Sequence, residues 1–298
     1  MSLNQKNKNI YRKNFKLSIV IATVGEETLN KLIKQIKSST FIPDEIIIVF
    51  PTVDMVKNIT LKPKDILIFR SPKSGQVAQR YYGISKAKNK YILQLDADIE
   101  IKKDTIEQLI KSYIINGPKI AVGPKVDYLN KNKINKKNKY RAWKFIFQIF
   151  GGGNINVFDL NKPFRYDSWF YDYKQPQKSG YTNVLPGGCI LFNKDYYKNF
   201  DFYPLKGKAL GEDLINSVYF QSFGCKLFFE VKSTIYTSEE GVYIYKNIYD
   251  LIIDLIKIYK IKRLVCILAK GNLYRFHLWF CYYILLSLLK HTLIHKKV

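Results

Sequence analysis

Asp96 and Asp98 stand two positions apart at the end of an apolar run, YILQLD, and Glu100 follows at the same interval. An Asp-x-Asp turn offers hard oxygen ligands of the kind Mg2+ or Mn2+ takes, with water and substrate phosphate completing the shell. The same spacing also suits a strand-end turn in which Asp caps the next helix. Two further places have residue types that chemistry can use. Glu212 and Asp213 open a helical stretch, where acids are stabilising in any case. Gly187 and Gly188 precede the run CILFN, and two glycines there either let a ligand approach the backbone closely or make a plain turn.

The elements that must carry these residues are short apolar strands alternating with amphipathic helices. LSIVIAT (17–23), DEIIIVF (44–50), DILIFR (65–70), YILQLD (91–96) and KIAVGPKV (119–126) read as strands, and 26–39, 74–89 and 104–115 as helices. That alternation predicts a mostly parallel α/β sheet covered on both faces. Ligands of such sheets sit outside the carboxyl ends of the strands. Thr23–Gly25, the stretch after Phe50, Arg70–Ser74 and Asp96–Asp98 all fall on that rim. After about residue 128 the pattern gives way to a loop-rich stretch to 186, with a basic run, a Gly triplet, Trp143 and Trp169. Strands return at 187–193 and 225–231 around a helix at 211–223, and the chain reads as mostly helical from about Val242.

Over 298 residues, 49 Lys+Arg face 24 Asp+Glu, a net charge of +25. Such a surplus suits phosphate-bearing substrates, an anionic membrane surface or nucleic acid. Its Lys-rich make-up favours phosphate or lipid headgroups over the reading of bases. The four cysteines are widely spaced in mostly apolar company, which predicts buried, reduced thiols in a cytoplasmic protein. All three histidines lie beyond residue 276, which argues against a His-based metal site or a Ser/His/Asp triad. The basic N-terminus has no apolar core of a secretory signal. Residues 273–289 are apolar but short of the ~20 residues a span needs, and predict an interfacial or buried helix, with a tilted span as the alternative.

The segment GQVAQRYYGISKAKNKYILQLDAD resembles the stretch leading into the acidic motif of family 2 glycosyltransferases, at Gly75, Ala78, Arg80, Gly83, Ile84, Tyr91, Ile92, Leu95, Asp96, Ala97 and Asp98. LPGGCILFNKDYY is similar to the strand lining that family's acceptor site, and GEDLINSVYFQSFGCKLFF to its Glu-Asp helix. The resemblance covers about residues 16–235. It implies the GT-A fold over 16–240, with a nucleotide-sugar half (16–127) and an acceptor half (128–240), after a basic tail (1–15). The helical region 241–298, with Lys and Arg clustered at 257–263, suits an anionic membrane surface or packing on the core.

What the resemblance implies for the residues is specific. Asp98, with Asp96, would hold Mg2+ or Mn2+ against the departing diphosphate. Ala22, Thr23, Glu26, Arg80, Asp96, Ala97 and Asp98 would bind the nucleotide sugar. Asp213 would be the base of an inverting transfer, with Glu212 beside it, and Gly187 and Gly188 would face the acceptor. Two departures are visible. The second strand ends in Phe50-Pro51 where the family commonly has Asp, leaving Asp54 as a substitute and the base (UDP or dTDP) open. The stretch VKSTIYTSEEG has no His to serve as a further metal ligand.

The function implied is transfer of a sugar from a UDP- or dTDP-sugar to a glycan or lipid-linked acceptor in bacterial cell-surface polysaccharide synthesis. The expected location is the inner face of the membrane, on an anionic surface and without nucleic acid; the oligomeric state stays open. Two alternatives are a non-catalytic basic nucleic-acid- or lipid-binding protein on the same scaffold and a nucleotidyltransferase. The latter usually carries a basic, Gly-rich first loop, whereas ATVGEE (22–27) is acidic.

Overall fold

The computed structural model describes residues 15–51, 66–73, 75–129, 175–197, 209–238 and 247–295, with side chains to 288. Trp143, Trp169 and Asp54 lie outside these residues. The first strands are β1 (Leu17–Ala22), β2 (Glu45–Phe50), β3 (Ile66–Arg70) and β4 (Tyr91–Asp96). They alternate with α1 (Thr28–Lys37) and α2 (Gln76–Lys86) and form a parallel sheet in the order β3-β2-β1-β4.

Along β1 and β2 successive residues serve opposite faces, as the strand period of two requires. Ile19, Ile21, Ile46 and Ile48 pack with Leu29, Leu32, Ile33 and Ile36 of α1. Val20, Ile47 and Val49 pack with Val77 and Ile84 of α2. Burial on both faces explains why these strands are apolar throughout.

Beyond β4 the sheet is mixed. After β5 (Ile99–Ile101) and α3 (Thr105–Asn116) come β6 (Ile120–Tyr128), β7 (Gly180–Thr182) and β8 (Cys189–Asn193). Then follow α4 (Glu212–Ser222) and β9 (Lys226–Thr237). β8 inserts antiparallel between β4 and β6, and β9 runs parallel to β6. β5 and β7 pair antiparallel with the two halves of β9. β9 therefore reaches Thr237, well past the expected 231, because a register shift beside Pro124 lets its second half pair again with β6. Glu100 is a β5 residue ion-paired to Lys31 at 2.5 Å.

The C-terminal helices are α5 (Ile248–Leu268) and α6 (Leu273–His295). Ile261 and Val265 of α5 join the same buried cluster as Leu214, Ile215 and Val218 of α4, so α5 is packed into the core of the sheet domain. Among the described residues no helix is long and apolar enough to cross a membrane. Cys189, Cys225 and Cys266 are buried free thiols, as expected, but Cys281 is exposed on α6.

Candidate functional site

Three elements meet at the carboxyl end of β4. Gln94 and Asp96 share one face of that strand, the face covered by α2 and α4. α2 lies close against β1 and β2 because Gly83 leaves room: a Cβ there would come within 2.6 Å of Val20 and 2.8 Å of Val49. One turn earlier on the same helix, Arg80 is thereby aimed at the end of β4. The neighbouring Gln79 donates its amide to the carbonyls of Thr23 (2.9 Å) and Val49 (2.8 Å), tying the ends of β1 and β2 together. Because β8 is antiparallel to β4, its start, and not its end, falls at this rim. The Asp96 amide donates to the Gly188 carbonyl at 2.8 Å.

Arg80 is only 1 % exposed. Its guanidinium binds Asp96 on one side and Glu212 on the other, the latter at 2.5 Å. Asp96 also accepts from Gln76 at 3.2 Å. Glu212 accepts from Asn216 at 2.5 Å and Gln94 at 3.3 Å, and Gln94 further donates to the Gly187 carbonyl at 2.7 Å. Burial alone disfavours the Arg80 cation, but Asp96 and Glu212 together outweigh it and hold the group charged. Burial pushes Glu212 upward, and Arg80, whose charge it shares with Asp96, pulls it only part of the way back. The sequence reading puts Arg80 beside the nucleotide. In the structure it is enclosed in protein and bridges Asp96 to Glu212.

The glycines have a use that their spacing did not reveal. A Cβ on Gly187 would come within 2.7 Å of a Glu212 carboxylate oxygen, and one on Gly188 within 3.2 Å of an Asp96 oxygen. Both positions are open on the protein side so that the two carboxylates can sit against the backbone.

In the first loop, the buried Thr23 hydroxyl donates to Glu26 and accepts from the Gly25 amide at 2.9 Å. Glu26 also accepts from the Val24 amide at 3.2 Å. Thr23 and Glu26 thus shape the loop with their own side chains. Ala22 and Ala97 are buried, Ala22 in register with Asp96, and Thr28 donates to the Ala97 carbonyl at 2.8 Å, joining this loop to the acidic turn. Asp98 is exposed on that turn. An exposed carboxylate able to leave most of a cation's positions to phosphate and water fits Mg2+ or Mn2+. Asp96 fits less well, since one of its oxygens is engaged by Arg80 and Gln76. Among the described residues no group of three or more His, Cys, Asp or Glu gathers for a metal.

Asp213 stands one residue past Glu212, after Gly211 has taken the left-handed conformation (φ 61°) that starts α4. Its carboxylate accepts from the Leu214 amide at 2.9 Å. Burial first, and the Glu212 carboxylate second, push it up to about 6. Gln76, Gln94 and Asn216 complete the network, and none was singled out from sequence. Gln94 carried a signal, as the lone amide in an apolar strand, and Asn216 another, four residues from Glu212 on the same helix face.

The profile described as Glycosyl transferase family 2 matches residues 18–200. No curated protein matches the chain. Among solved structures, GalNAc-T7 with UDP, GalNAc and Mn2+ superposes with a TM-score of 0.55 at 16% identity, over 84% of this chain and 48% of that one. TarS 1-349 from S. aureus, in complex with UDP, gives a TM-score of 0.54 at 16% identity, over 85% and 65%. These likenesses concern the fold, and the chain spans about half of the first and 65% of the second.

Proposed function

The chain belongs to glycosyl transferase family 2, and from that premise we propose that it moves a sugar, with inversion, from a UDP- or dTDP-sugar to a hydroxyl of a glycan or lipid-linked acceptor. The observation that carries this reading is the Arg80 bridge between Asp96 and Glu212, with Asp213 next in line. It holds Asp96 and Glu212 on one rim, and on this reading Asp96 serves the donor while Glu212 and Asp213 serve the acceptor. Asp213 takes the proton of the attacking hydroxyl, and a carboxyl held at about 6 is a stronger base than an ordinary one while still ionised at neutral pH. Glu212, held by Arg80, Gln94 and Asn216, is the fixed wall against which that base is set.

Asp98, assisted by the second oxygen of Asp96, would hold Mg2+ or Mn2+, which supplies Lewis-acid neutralisation of a diphosphate when bound. Ala22, Thr23, Glu26 and Ala97 frame the nucleotide side, and the backbone at Gly187 and Gly188 the acceptor side. A merely basic binding protein gains nothing from carboxylates gathered at one rim, which tells against that alternative.

The test is a panel of UDP- and dTDP-sugars with Mg2+ or Mn2+, following release of the nucleoside diphosphate. One or more donors should be turned over, and Asp98→Ala should slow release at least tenfold. If no nucleotide sugar binds or reacts, the reading fails.

The acceptor proposal extends to a membrane surface. Tyr249, Ile252, Ile256, Lys260, Arg263 and Ile267 recur at three- and four-residue intervals along α5, and all are exposed. An apolar stripe beside basic groups suits an anionic bilayer, next to which cell-surface polysaccharide precursors are built. The protein should sediment with vesicles of anionic lipid, and Ile252→Ser with Ile256→Ser should release it. Equal retention of the variant counts against this location.

A further inference from the structure

Asp96 is gripped twice from α2, and each grip continues to the segment that opens α4. Gln76 and Arg80 stand four residues apart on one face of the helix, and both donate to the same Asp96 oxygen, Oδ1. Arg80 goes on to the Glu212 side chain. Gln76, half-buried at the first position of α2, goes on to the main chain. Its Oε1 accepts from the Ala209 amide at 3.0 Å while its Nε2 donates to Asp96 at 3.2 Å. The side-chain amide has one workable orientation here. Turned over, it would set its oxygen against the Asp96 carboxylate and its NH2 against the Ala209 N–H, two repulsive contacts in place of two bonds. Ala209 packs on the cluster that holds Val77 of α2 and Leu214 of α4. Leu210 and Gly211 alone separate it from Glu212. Gly211 takes a left-handed turn, and a Cβ on it would come within 2.7 Å of Ile261 Cγ2. This short link is therefore held at its start by Gln76, in its middle by α5 and at its end by Arg80.

We propose that Gln76 is a positioning residue for Glu212 and Asp213: it ties the Ala209 backbone to Asp96, so that the carboxylate ending β4 sets where α4 begins. Arg80 fixes the Glu212 side chain, but one side-chain pair leaves the backbone of the turn able to pivot about it. A second tie three residues earlier removes that pivot, and with it aims Asp213, the residue after Glu212. The residue type is what this task requires. Glutamine carries a donor and an acceptor on a chain long enough to reach both partners; glutamate would accept from Ala209 but repel Asp96, and methionine would do neither. The use of this relay in catalysis rests on the glycosyl transfer proposed above, where it makes the placing of the base depend on the carboxylate that serves the donor. The relay itself, from Asp96 through Gln76 to Ala209, does not rest on it.

The deciding experiment follows hydrogen exchange at the Ala209 amide of the full chain by NMR, without donor or acceptor. Gln76→Met should speed that exchange about 2- to 10-fold, as loss of one ordinary hydrogen bond predicts, with the amides of β1 and β4 unchanged. Gln76→Glu should keep Ala209 protected. Asp96→Ala should speed exchange at Ala209 in the wild-type background but add little in Gln76→Met, since both variants break the same relay. If Asp96→Ala does not fold, the Met and Glu variants decide the matter. Where a donor is turned over, Gln76→Met should lower kcat about tenfold or more through misplacement of the base, whereas Gln76→Glu should chiefly raise the donor KM. Exchange at Ala209 equal in wild type and Gln76→Met overturns the relay and leaves glycosyl transfer untouched. So does exchange speeded alike in Gln76→Glu and throughout β1 and β4, the mark of a general packing residue. A loosened Ala209 with kcat unchanged overturns the positioning role. A donor screen in which nothing reacts, with Ala209 loosened as expected, keeps the relay and removes glycosyl transfer.

Discussion

Replacing Asp213 with asparagine is expected to abolish turnover and, in the same protein, to raise the melting temperature. The amide keeps the shape of the side chain but cannot accept a proton, which should lower kcat by about 10^2- to 10^4-fold. Stability moves the other way. Burial and Glu212 raise the folded-state pKa to about 6, above the ordinary 3.8, so the protein favours the neutral form. The stability this lends is fully present below about pH 4 and is lost as pH rises through about 6. At pH 7.5 the ionised carboxylate then costs about 1–2 kcal/mol, after discounting for the water that reaches it. Asparagine removes that cost, and for a chain of this size the melting temperature should rise by about 2–4 °C. Thermal melts at pH 7.5 and pH 4 check the sign, since the gain should vanish at the lower pH. A variant less stable than wild type at pH 7.5 would show that Asp213 is favourably partnered in the fold and is no strained base.

The largest loss of stability is expected from Arg80→Met. The thioether fills much of the volume but leaves the 5 % exposed Glu212 without its cation. Breaking a buried pair from one side costs about 3–5 kcal/mol, a large part of the 5–15 kcal/mol that holds a domain together. Without Arg80 nothing opposes the upward push of burial on Glu212, apart from its amide donors Gln94 and Asn216. With the folded pKa raised, protonation favours the fold, so Arg80→Met should recover stability as pH falls from 8 towards 5. Urea midpoints across that range measure this. The double variant Arg80→Met/Glu212→Gln should recover most of the loss at pH 8, because it removes the buried carboxylate that lost its cation. A midpoint equally low at both pH values, unimproved by Glu212→Gln, rules out an unpaired carboxylate as the cause.

The parallel half of the sheet was legible in the residues, since the apolar runs of β1, β2 and β4 recur there with few exceptions. The mixed half was less so. β5 has three residues and β7 three, too short for any period to show. Nor does the alternation of β8 say that it runs against β4. The motifs at Asp96–Asp98, Gly187–Gly188 and Glu212–Asp213 marked where to look, and Asp96, the two glycines and the Glu212–Asp213 pair do converge on one rim. What they could not convey is who holds whom. That Arg80 is enclosed, and that the glycines make room for protein carboxylates, depends on how closely α2 and α4 approach the sheet.

The place of β8 in the sheet also governs how the molecule can be made. β4 is finished at Asp96, yet the strand that covers its free edge begins at Cys189, after residues 97–188. At ribosomal rates of about 5–20 residues per second, that edge waits roughly 5–20 s for its partner. Meanwhile YILQLD is an uncovered apolar strand edge, which is a template for pairing with other chains. A fragment cut after β6 has the same defect permanently, because β6 reaches the sheet only through β8. Attempts to express residues 16–127 alone should therefore keep residues 189–193 in the chain.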